Sequence, residues 1–198
     1  IGNVIDPYEI VNQYGLDQMR FFLFREVPFG NDGDFSKDAI AQRVNADLSN
    51  NFGNLIQRIS SFIVKNSDSK VNKPAEFIDD DKNLLNQYDE ALNNYLTNMN
   101  SYSIDKALKN IFEFLSLVNT FVDNQAPWSL KKTDPVRMEE VLYVVAILII
   151  KSSILLLPII PSSIKKVLNI FSLSVEEINL SKIQSFLPEI ISIKKPYP

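Results

Sequence analysis

The sequence predicts a mainly all-α protein, a bundle of about five helices preceded by a small glycine-bearing unit. All five glycines lie within the first 53 of the 198 residues, so the remainder lacks the residue that tight hairpins and phosphate-binding loops use. Apolar residues recur at helical spacing through most of that remainder. The sequence also has no cysteine and no histidine, which excludes thiolate chemistry and the commonest acid–base group and metal ligand. These absences argue against a self-contained enzyme.

The glycine-bearing unit, residues 1–35, begins with two short predicted helices. Asp6 is placed to cap a helix over 7–14, and Gly15 is placed to end it. A second helix is predicted over 17–26, and a loop occupies the rest of the unit. The unit is therefore a pair of short helices that leads into the bundle.

Residues 36–198 are predicted to form the bundle. Ser36 is placed to cap a helix that continues to about residue 66. Gly53 interrupts this helix at a cost of about 1 kcal/mol relative to alanine, which indicates that another group needs a close approach there. Capping residues and apolar spacing predict further helices over 80–100, 103–122, 135–157 and 162–171, with Ser103 and Asp134 as caps.

The segments between these helices give weaker signals. Residues 66–79, with Pro74, are predicted to be a polar linker, and Pro127 is predicted to stop the preceding helix. Residues 175–178 fit a helical turn, and the last residues look extended. No structure is assigned beyond that to the final 25 residues.

The stretch 141–160 is almost wholly apolar and long enough to cross a bilayer. Lys151 lies in its middle, where a charge costs roughly 2.5–3.5 kcal/mol on insertion scales. A core helix buried by its neighbours explains the same pattern, so we expect a core helix and no membrane partner. The first residues lack the regions of a signal peptide, and the absence of cysteine fits a reducing compartment. We therefore expect a cytoplasmic location.

A polar face is predicted on the first bundle helix. Asn50, Asn54 and Arg58 follow one another at intervals of four residues, so an α-helix projects all three from one side. Amides and a forked guanidinium are the groups that bind base edges and phosphates. The same pattern is also typical of an ordinary exposed helix face.

The single tryptophan, Trp128, follows the helix break at Pro127. An indole at a helix end stacks on an unpaired base with about 1–3 kcal/mol, although a lone tryptophan is also a common core anchor. If the two polar helices pack together, the bundle end forms a site for bases of a single-stranded loop. The net charge of −4 opposes indiscriminate nucleic-acid binding, but 37–66 and 126–198 are locally basic.

Three motifs carry a resemblance to a known family. The sequence GNVIDPYEIVNQYGLDQMRFFLFREVPFGNDGDFS resembles the segment just after the KMSKS signature loop of class I methionyl-tRNA synthetases. RVNADLSNNFGNLIQR and DNQAPWSLKK resemble the anticodon-binding bundle of that family, and the motifs occur in the family's order. The resemblance covers nearly the whole chain.

This resemblance implies two parts with different contacts to tRNA. Residues 1–35 would be the stem-contact segment that links the catalytic domain to the bundle. Residues 36–198 would be the anticodon-binding domain of class I aminoacyl-tRNA synthetases, which recognises the CAU anticodon of methionine tRNA. The family's base-contacting positions fall on Asn54, Arg58 and Trp128, with Asn50 as a weaker addition. Nearby Lys131 and Lys132 would meet backbone phosphates.

The resemblance also implies where the chemistry of the whole enzyme lies. The family joins methionine to its tRNA and cleaves ATP, with magnesium, to AMP and pyrophosphate. Its catalytic motifs, the HIGH-type sequence and KMSKS, are missing from this chain. We therefore expect no catalytic residue, no metal ligand and no cofactor site here, and we expect the enzyme's own catalytic domain as a partner.

Two alternatives stand beside this interpretation. A helical protein-interaction module without a nucleic-acid role would use the same surfaces for a partner helix or bury them in its core. The equivalent bundle of another class I synthetase would keep the fold and read another anticodon, although the Gln-Ala-Pro-Trp sequence at 125–128 argues against it.

Overall fold

A computed structural model describes residues 6–28, 30, 35–178 and 180–194. Helices dominate these ranges, which confirms the predicted all-α class, and a two-stranded antiparallel sheet is the one exception among them. The helices are α1 (Pro7–Tyr14), α2 (Leu16–Glu26), α3 (Lys37–Arg43), a π-helical segment (Val44–Gly53), α4 (Asn54–Asn66), α5 (Asp79–Asn100), α6 (Ile104–Gln125), α7 (Pro127–Thr133), α8 (Pro135–Leu156), α9 (Pro161–Ile170) and a 3₁₀ turn (Leu180–Lys182). The strands are β1 (Lys70–Asn72) and β2 (Ile190–Ser192).

The first three helices share a small core of their own. Ile10, Phe22 and Ile40 are its fully buried members. The predicted start of α1 is confirmed, since the Asp6 carboxylate accepts a hydrogen bond from the Tyr8 amide at 2.9 Å. Most of the loop predicted before α3 lies outside the described residues.

Helix α2 is fastened to the turn between α8 and α9 by polar contacts. The buried Asp17 carboxylate accepts from the Ser163 amide at 2.6 Å, near the start of α9. One turn further along α2, Arg20 donates to the carbonyls of Pro158 and Ile159 at 2.8 and 2.9 Å. These contacts join the N-terminal helices to the bundle.

The helix predicted from Ser36 to residue 66 is continuous but not α-helical throughout. Ser36 caps its start, since its Oγ accepts from the Ala39 amide at 3.1 Å. In the π-helical segment the hydrogen bonds reach back five residues instead of four, and the Asn54 amide bonds to the Ser49 carbonyl. A β-carbon on Gly53 would lie 3.0 Å from the Leu48 carbonyl oxygen. The close approach that Gly53 indicates is thus made by its own helix.

Two segments differ from their predicted form. Part of the polar linker is strand β1, which pairs with β2 so that Val71 lies opposite Ile191. Three residues are too few to show an alternating pattern. Residues 175–177 form a single turn and no helix, while the extended end is present as β2 and its last residues, 195–198, lie outside the described ranges.

The ends of α6 differ from the prediction in two details. Ser103 occupies the N-cap position, but its side chain makes no capping hydrogen bond. Pro127 does follow the end of α6, yet it also begins α7, a seven-residue helix that the sequence analysis missed. Ala126 between them adopts a left-handed φ of +44°, which turns the chain from one helix into the next.

Helix α8 is the central core helix, as predicted. Its residues 141–156 are all buried, and α4, α5, α6, α7, α9 and β1 pack around it. Lys151 donates to the Gln184 carbonyl at 2.7 Å and lies 5.2 Å from the centre of the Tyr88 ring, and burial lowers its pKa. Among the described helices, none combines the length and apolar content that a bilayer span requires.

A buried ion-pair network joins three helix ends next to α7. Arg137, in the first turn of α8, donates two hydrogen bonds of 2.7 Å to the fully buried Asp81 of α5. Arg137 also donates to Gln125 at the end of α6, and Gln125 donates to Asp80 at 3.0 Å. The bond to Asp81 raises the pKa of Arg137 above its ordinary value. This network fixes the end of α6 and the start of α8, the two helices that α7 connects.

Removing the charge of Asp81 is expected to destabilise the fold strongly. Asp81→Asn leaves the guanidinium of Arg137 without its bidentate partner and is expected to lower the free energy of unfolding by about 3 kcal/mol. Asp79→Asn is the matched control, because Asp79 lies in the same helical turn but is exposed, and it is expected to cost less than about 1 kcal/mol. Urea unfolding followed by circular dichroism measures both, and equal losses would contradict a special role for the network.

Tyr95 makes stability sensitive to alkaline pH. Its hydroxyl donates to the Leu155 carbonyl at 2.7 Å, and burial raises its pKa from 10.0 to about 12. The unfolded chain therefore ionises first, so the stability contributed by the protonated tyrosine is complete below pH 10 and is lost as the pH rises toward 12.

Tyr95→Phe tests this titration. At pH 7 the variant is expected to be about 1–2 kcal/mol less stable than the parent, because the Leu155 carbonyl loses its donor. That difference should shrink as the pH rises above 10, where the parent alone loses this contribution. Urea unfolding at several pH values gives the comparison, and a difference that stays constant with pH would refute it.

Candidate nucleic-acid interface

The structure brings two of the predicted site residues into direct contact. Arg58, one turn into α4, places its guanidinium carbon 5.6 Å from the centre of the Trp128 ring on α7. The same guanidinium donates to the Asp123 carboxylate near the end of α6 at 2.7 Å. These three residues are called the Arg58 cluster below. They join α4, α6 and α7 at one place on the surface.

The Arg58 cluster is open to solvent. Trp128 is 46 % exposed, and the side chains of Arg58 and Asp123 are 42 % and 61 % exposed. Beside them lies a cleft of about 150 Å³ whose remaining lining is apolar, made of Ile59, Phe62, Val122 and Pro127. The indole therefore rests on an apolar base and keeps nearly half of its surface available, which differs from a buried core anchor.

The two asparagines lie along the same helix at different distances from the cluster. Asn54 is the first residue of α4 and is exposed one turn before Arg58. Asn50 is exposed in the π-helical segment. Neither side chain makes a hydrogen bond to another residue in the described part of the chain. The single face predicted for all three residues assumes α-helical geometry, and that geometry holds only from Asn54 onward.

The two lysines are separate from the cluster. Lys131 and Lys132 are exposed in the last turn of α7, the helix that carries Trp128 in its first turn. Neither forms an ion pair with a described residue. Their charges are therefore available to a ligand that lies along α7.

The chemistry of this surface suits a flat, unsaturated ligand with a polar edge. The indole offers a stacking face, and the guanidinium of Arg58 keeps N–H donors beyond the one that bonds to Asp123. Asp123 offsets the charge of Arg58, so the cluster itself is suited to a base more than to a phosphate. Among the described residues, no group of three or more acidic side chains is arranged to hold a metal ion.

Asp123 is the member of the cluster that the sequence analysis missed. It lies within the DNQAPW motif, but nothing in the sequence indicates that it pairs with a residue 65 positions earlier. Arg137 and its network were missed for the same reason, since their partners come from three helices. The only available signal was an acidic residue close before the tryptophan.

Two family models match the chain. A model described as tRNA synthetases class I (M) matches residues 1–60, a range that contains Asn54 and Arg58. A model described as anticodon binding domain of methionyl tRNA ligase matches residues 71–190, a range that contains Trp128 and the lysines of α7. The residues of the candidate interface are therefore divided between the two matches.

Similar proteins agree with these matches. The methionine–tRNA ligase of Brucella suis biovar 1 is 46 % identical over 177 residues, which cover 89 % of this chain and 34 % of the relative. The corresponding ligase of Rickettsia conorii is 40 % identical over 180 residues, or 89 % of this chain and 35 % of the relative. The chain thus spans about a third of the length of these relatives.

Solved structures give the same result. The apo form of Mycobacterium tuberculosis methionyl-tRNA synthetase superposes with a TM-score of 0.92 at 33 % identity, over 98 % of this chain and 40 % of that one. The same enzyme in complex with methionyl-adenylate gives 0.92 at 34 % identity, over 100 % of this chain and 39 % of that one. These findings confirm the resemblance and favour it over the bundle of another class I synthetase. The chain belongs to the methionyl-tRNA ligase family and carries its anticodon-binding domain.

Proposed function

We propose that this chain reads the CAU anticodon of methionine tRNA as the RNA-binding part of a methionine–tRNA ligase. The observation that carries the proposal is the exposed contact between Arg58 and Trp128. It places a stacking surface and a forked donor side by side in a chain of the matching family. Unpaired bases of a tRNA loop are bound by this combination of groups.

Each residue of the interface has a distinct role in this proposal. Trp128 stacks on a splayed anticodon base, and Arg58 and Asn54 donate to or accept from base edges. Asn50 extends the polar surface toward a neighbouring nucleotide. Lys131 and Lys132 neutralise backbone phosphates, which adds affinity without reading the sequence.

The activity of the whole enzyme belongs to the part that the chain does not contain. In the proposal, a catalytic domain joined to the segment 1–35 attaches methionine to the tRNA and cleaves ATP, with magnesium, to AMP and pyrophosphate. The methionyl-adenylate complex of the Mycobacterium tuberculosis enzyme supports an adenylate route. Residues 1–35 then contact the tRNA stem and residues 36–198 the anticodon, in the cytoplasm, and this chain holds no cofactor of its own.

The test of this proposal measures, at low salt, the affinity of the chain for a tRNA that bears CAU and for the same tRNA with a changed anticodon. The parent chain is expected to prefer the CAU tRNA, and equal affinity for both would refute anticodon recognition. Trp128→Ala is expected to weaken the CAU complex by roughly 1–3 kcal/mol because the stacking face is lost.

The control for this variant is Val136→Ala. Val136 is an exposed apolar residue at the start of α8, outside the Arg58 cluster, so its truncation should leave tRNA affinity unchanged. Circular dichroism of both variants shows whether the helices are retained. If Trp128→Ala binds the CAU tRNA as tightly as the parent does, Trp128 is not part of the tRNA-binding site.

Base reading and phosphate binding are separated by a second pair of variants. Arg58→Lys keeps the charge but loses the planar fork, so it should reduce the preference for CAU by about 1–3 kcal/mol. Lys131→Met should weaken both tRNAs equally and lower the slope of log affinity against log salt by about 0.7 to 1. Filter-binding titrations from low to moderate salt give the preference for the CAU tRNA and the salt slope. If Arg58→Lys changed only the slope and Lys131→Met only the preference, the assigned roles would be wrong.

A further inference from the structure

We propose that Asn51 is a positioning residue for anticodon reading, because it holds the π-helical segment whose end sets the direction of Asn54 and Arg58. The inference rests on the proposed function and adds a residue that is itself not assigned to tRNA contact. Three features support this role: the hydrogen bonds of Asn51, the geometry of Gly53 and the contacts at the start of the π-helical segment.

The π-helical segment needs external support. π-Helical hydrogen bonding is rare and normally lasts a single turn within an α-helix, whereas here it covers the ten residues Val44–Gly53. Because a stretch of this length is unusual, we expect contacts outside the helix to hold it. The segment also stands directly before Asn54, so its hydrogen-bonding pattern determines the rotation at which α4 begins.

Asn51 supplies that support toward α6. Its side-chain amide donates to the Phe112 carbonyl at 3.0 Å and to the Ser116 hydroxyl at 2.9 Å. In return the Asn119 amide donates to the side-chain oxygen of Asn51 at 2.9 Å and to its backbone carbonyl at 3.3 Å. Both ends of the Asn51 side chain and its backbone carbonyl are therefore bonded to one helix.

The start and the end of the segment are fixed in other ways. Asp47 pairs with Arg25 of α2 at 3.2 Å and with Arg43 at 3.6 Å, which fastens the beginning to the N-terminal helices. At the end, the Leu48 carbonyl would lie only 3.0 Å from a β-carbon at position 53, and glycine avoids that contact. Asn51 lies between Asp47 and Gly53, and its hydrogen bonds fix the position of the π-helical segment along α6.

The consequence reaches the Arg58 cluster through the rotation of α4. Each residue of an α-helix turns the following ones by about 100°, so a change of hydrogen-bonding pattern before Asn54 rotates Asn54 and Arg58 together. The Arg58–Asp123 bond of 2.7 Å and the ring contact of 5.6 Å are both made at the present rotation of α4. Asn51 thus acts on the bases through Arg58 and Asn54.

The test compares Asn51→Ala with Asn45→Ala in the 198-residue chain. Asn45 is an exposed amide of the same π-helical segment and makes no hydrogen bond to α6 through a described residue. Asn51→Ala is expected to lower affinity for the CAU tRNA about tenfold and to reduce its preference over the changed anticodon, since such sites tolerate only small displacements. Asn45→Ala should match the parent in both.

Fluorescence gives a readout that loss of stability alone would not move. Trp128 is the only tryptophan of the sequence, so its quenching by acrylamide reports on the ring that Arg58 covers. At a temperature where circular dichroism shows each variant folded, Asn51→Ala should be quenched more strongly than the parent even without tRNA. Quenching and tRNA preference that both equal those of the parent would overturn the proposal.

Two further outcomes are distinguished by the same measurements. If Asn51→Ala does not fold, Asn119→Ala removes the other half of the bridge and is expected to give the same quenching change, and parent-like quenching there would refute the proposal. If the parent itself fails to prefer the CAU tRNA, anticodon recognition is wrong. The quenching comparison still decides whether Asn51 sets the position of Arg58.

Discussion

A helix that is apolar around its whole circumference has to be covered on every side, and α8 places this constraint on the rest of the molecule. Sixteen consecutive residues of α8, 141–156, are withdrawn from solvent. Helices α4, α5, α6, α7 and α9 and the strand β1 surround it. Two of the polar groups that enter this core donate to backbone carbonyls, Lys151 to Gln184 and Tyr143 to Pro188, and burial leaves those donors satisfied. The buried hydroxyls of Ser152 and Tyr88 make no hydrogen bond to a described residue.

The candidate interface follows from this packing. Helices α4 and α6 lie against α8, and the short α7 connects the end of α6 to the start of α8, so their ends converge on one surface. Arg137 and Asp81 hold the neighbouring helix ends with two bonds of 2.7 Å. The Arg58 cluster therefore stands on elements whose own positions are fixed. Side chains that stack on and bond to a base need such support, because small displacements lose the contact.

The sequence predicted those features that depend on long repeats or on local capping. The five longer bundle helices were found because their apolar residues repeat over nearly three turns or more. Asp6 and Ser36 act as the caps expected of them. Features shorter than a full pattern were missed or only partly predicted. The seven-residue α7 and the three-residue β1 were missed, and β2 was predicted only as an extended end. The π-helical segment was predicted as α-helix, because its apolar spacing is compatible with either.

The candidate site was predicted in the same uneven way. Spacing along one helix and a lone tryptophan drew attention to Arg58 and Trp128, and the motifs of the family agreed with that choice. Their mutual contact, and the hydrogen bond from Arg58 to Asp123, come from three helices that meet only after folding. Pairings between distant segments leave no local pattern in one sequence, so they became visible only with the structure.

The pairing of β1 with β2 brings together the two ends of a long stretch of the chain. Val71 and Ile191 lie opposite each other on adjacent strands, so the two ends of a stretch of some 120 residues lie side by side. That stretch is nearly the one matched by the anticodon-domain model, 71–190. Because its ends are neighbours, this stretch leaves the rest of the chain and rejoins it at one place. The same closure joins the two most distant parts of the segment, which makes this small sheet a late event in folding.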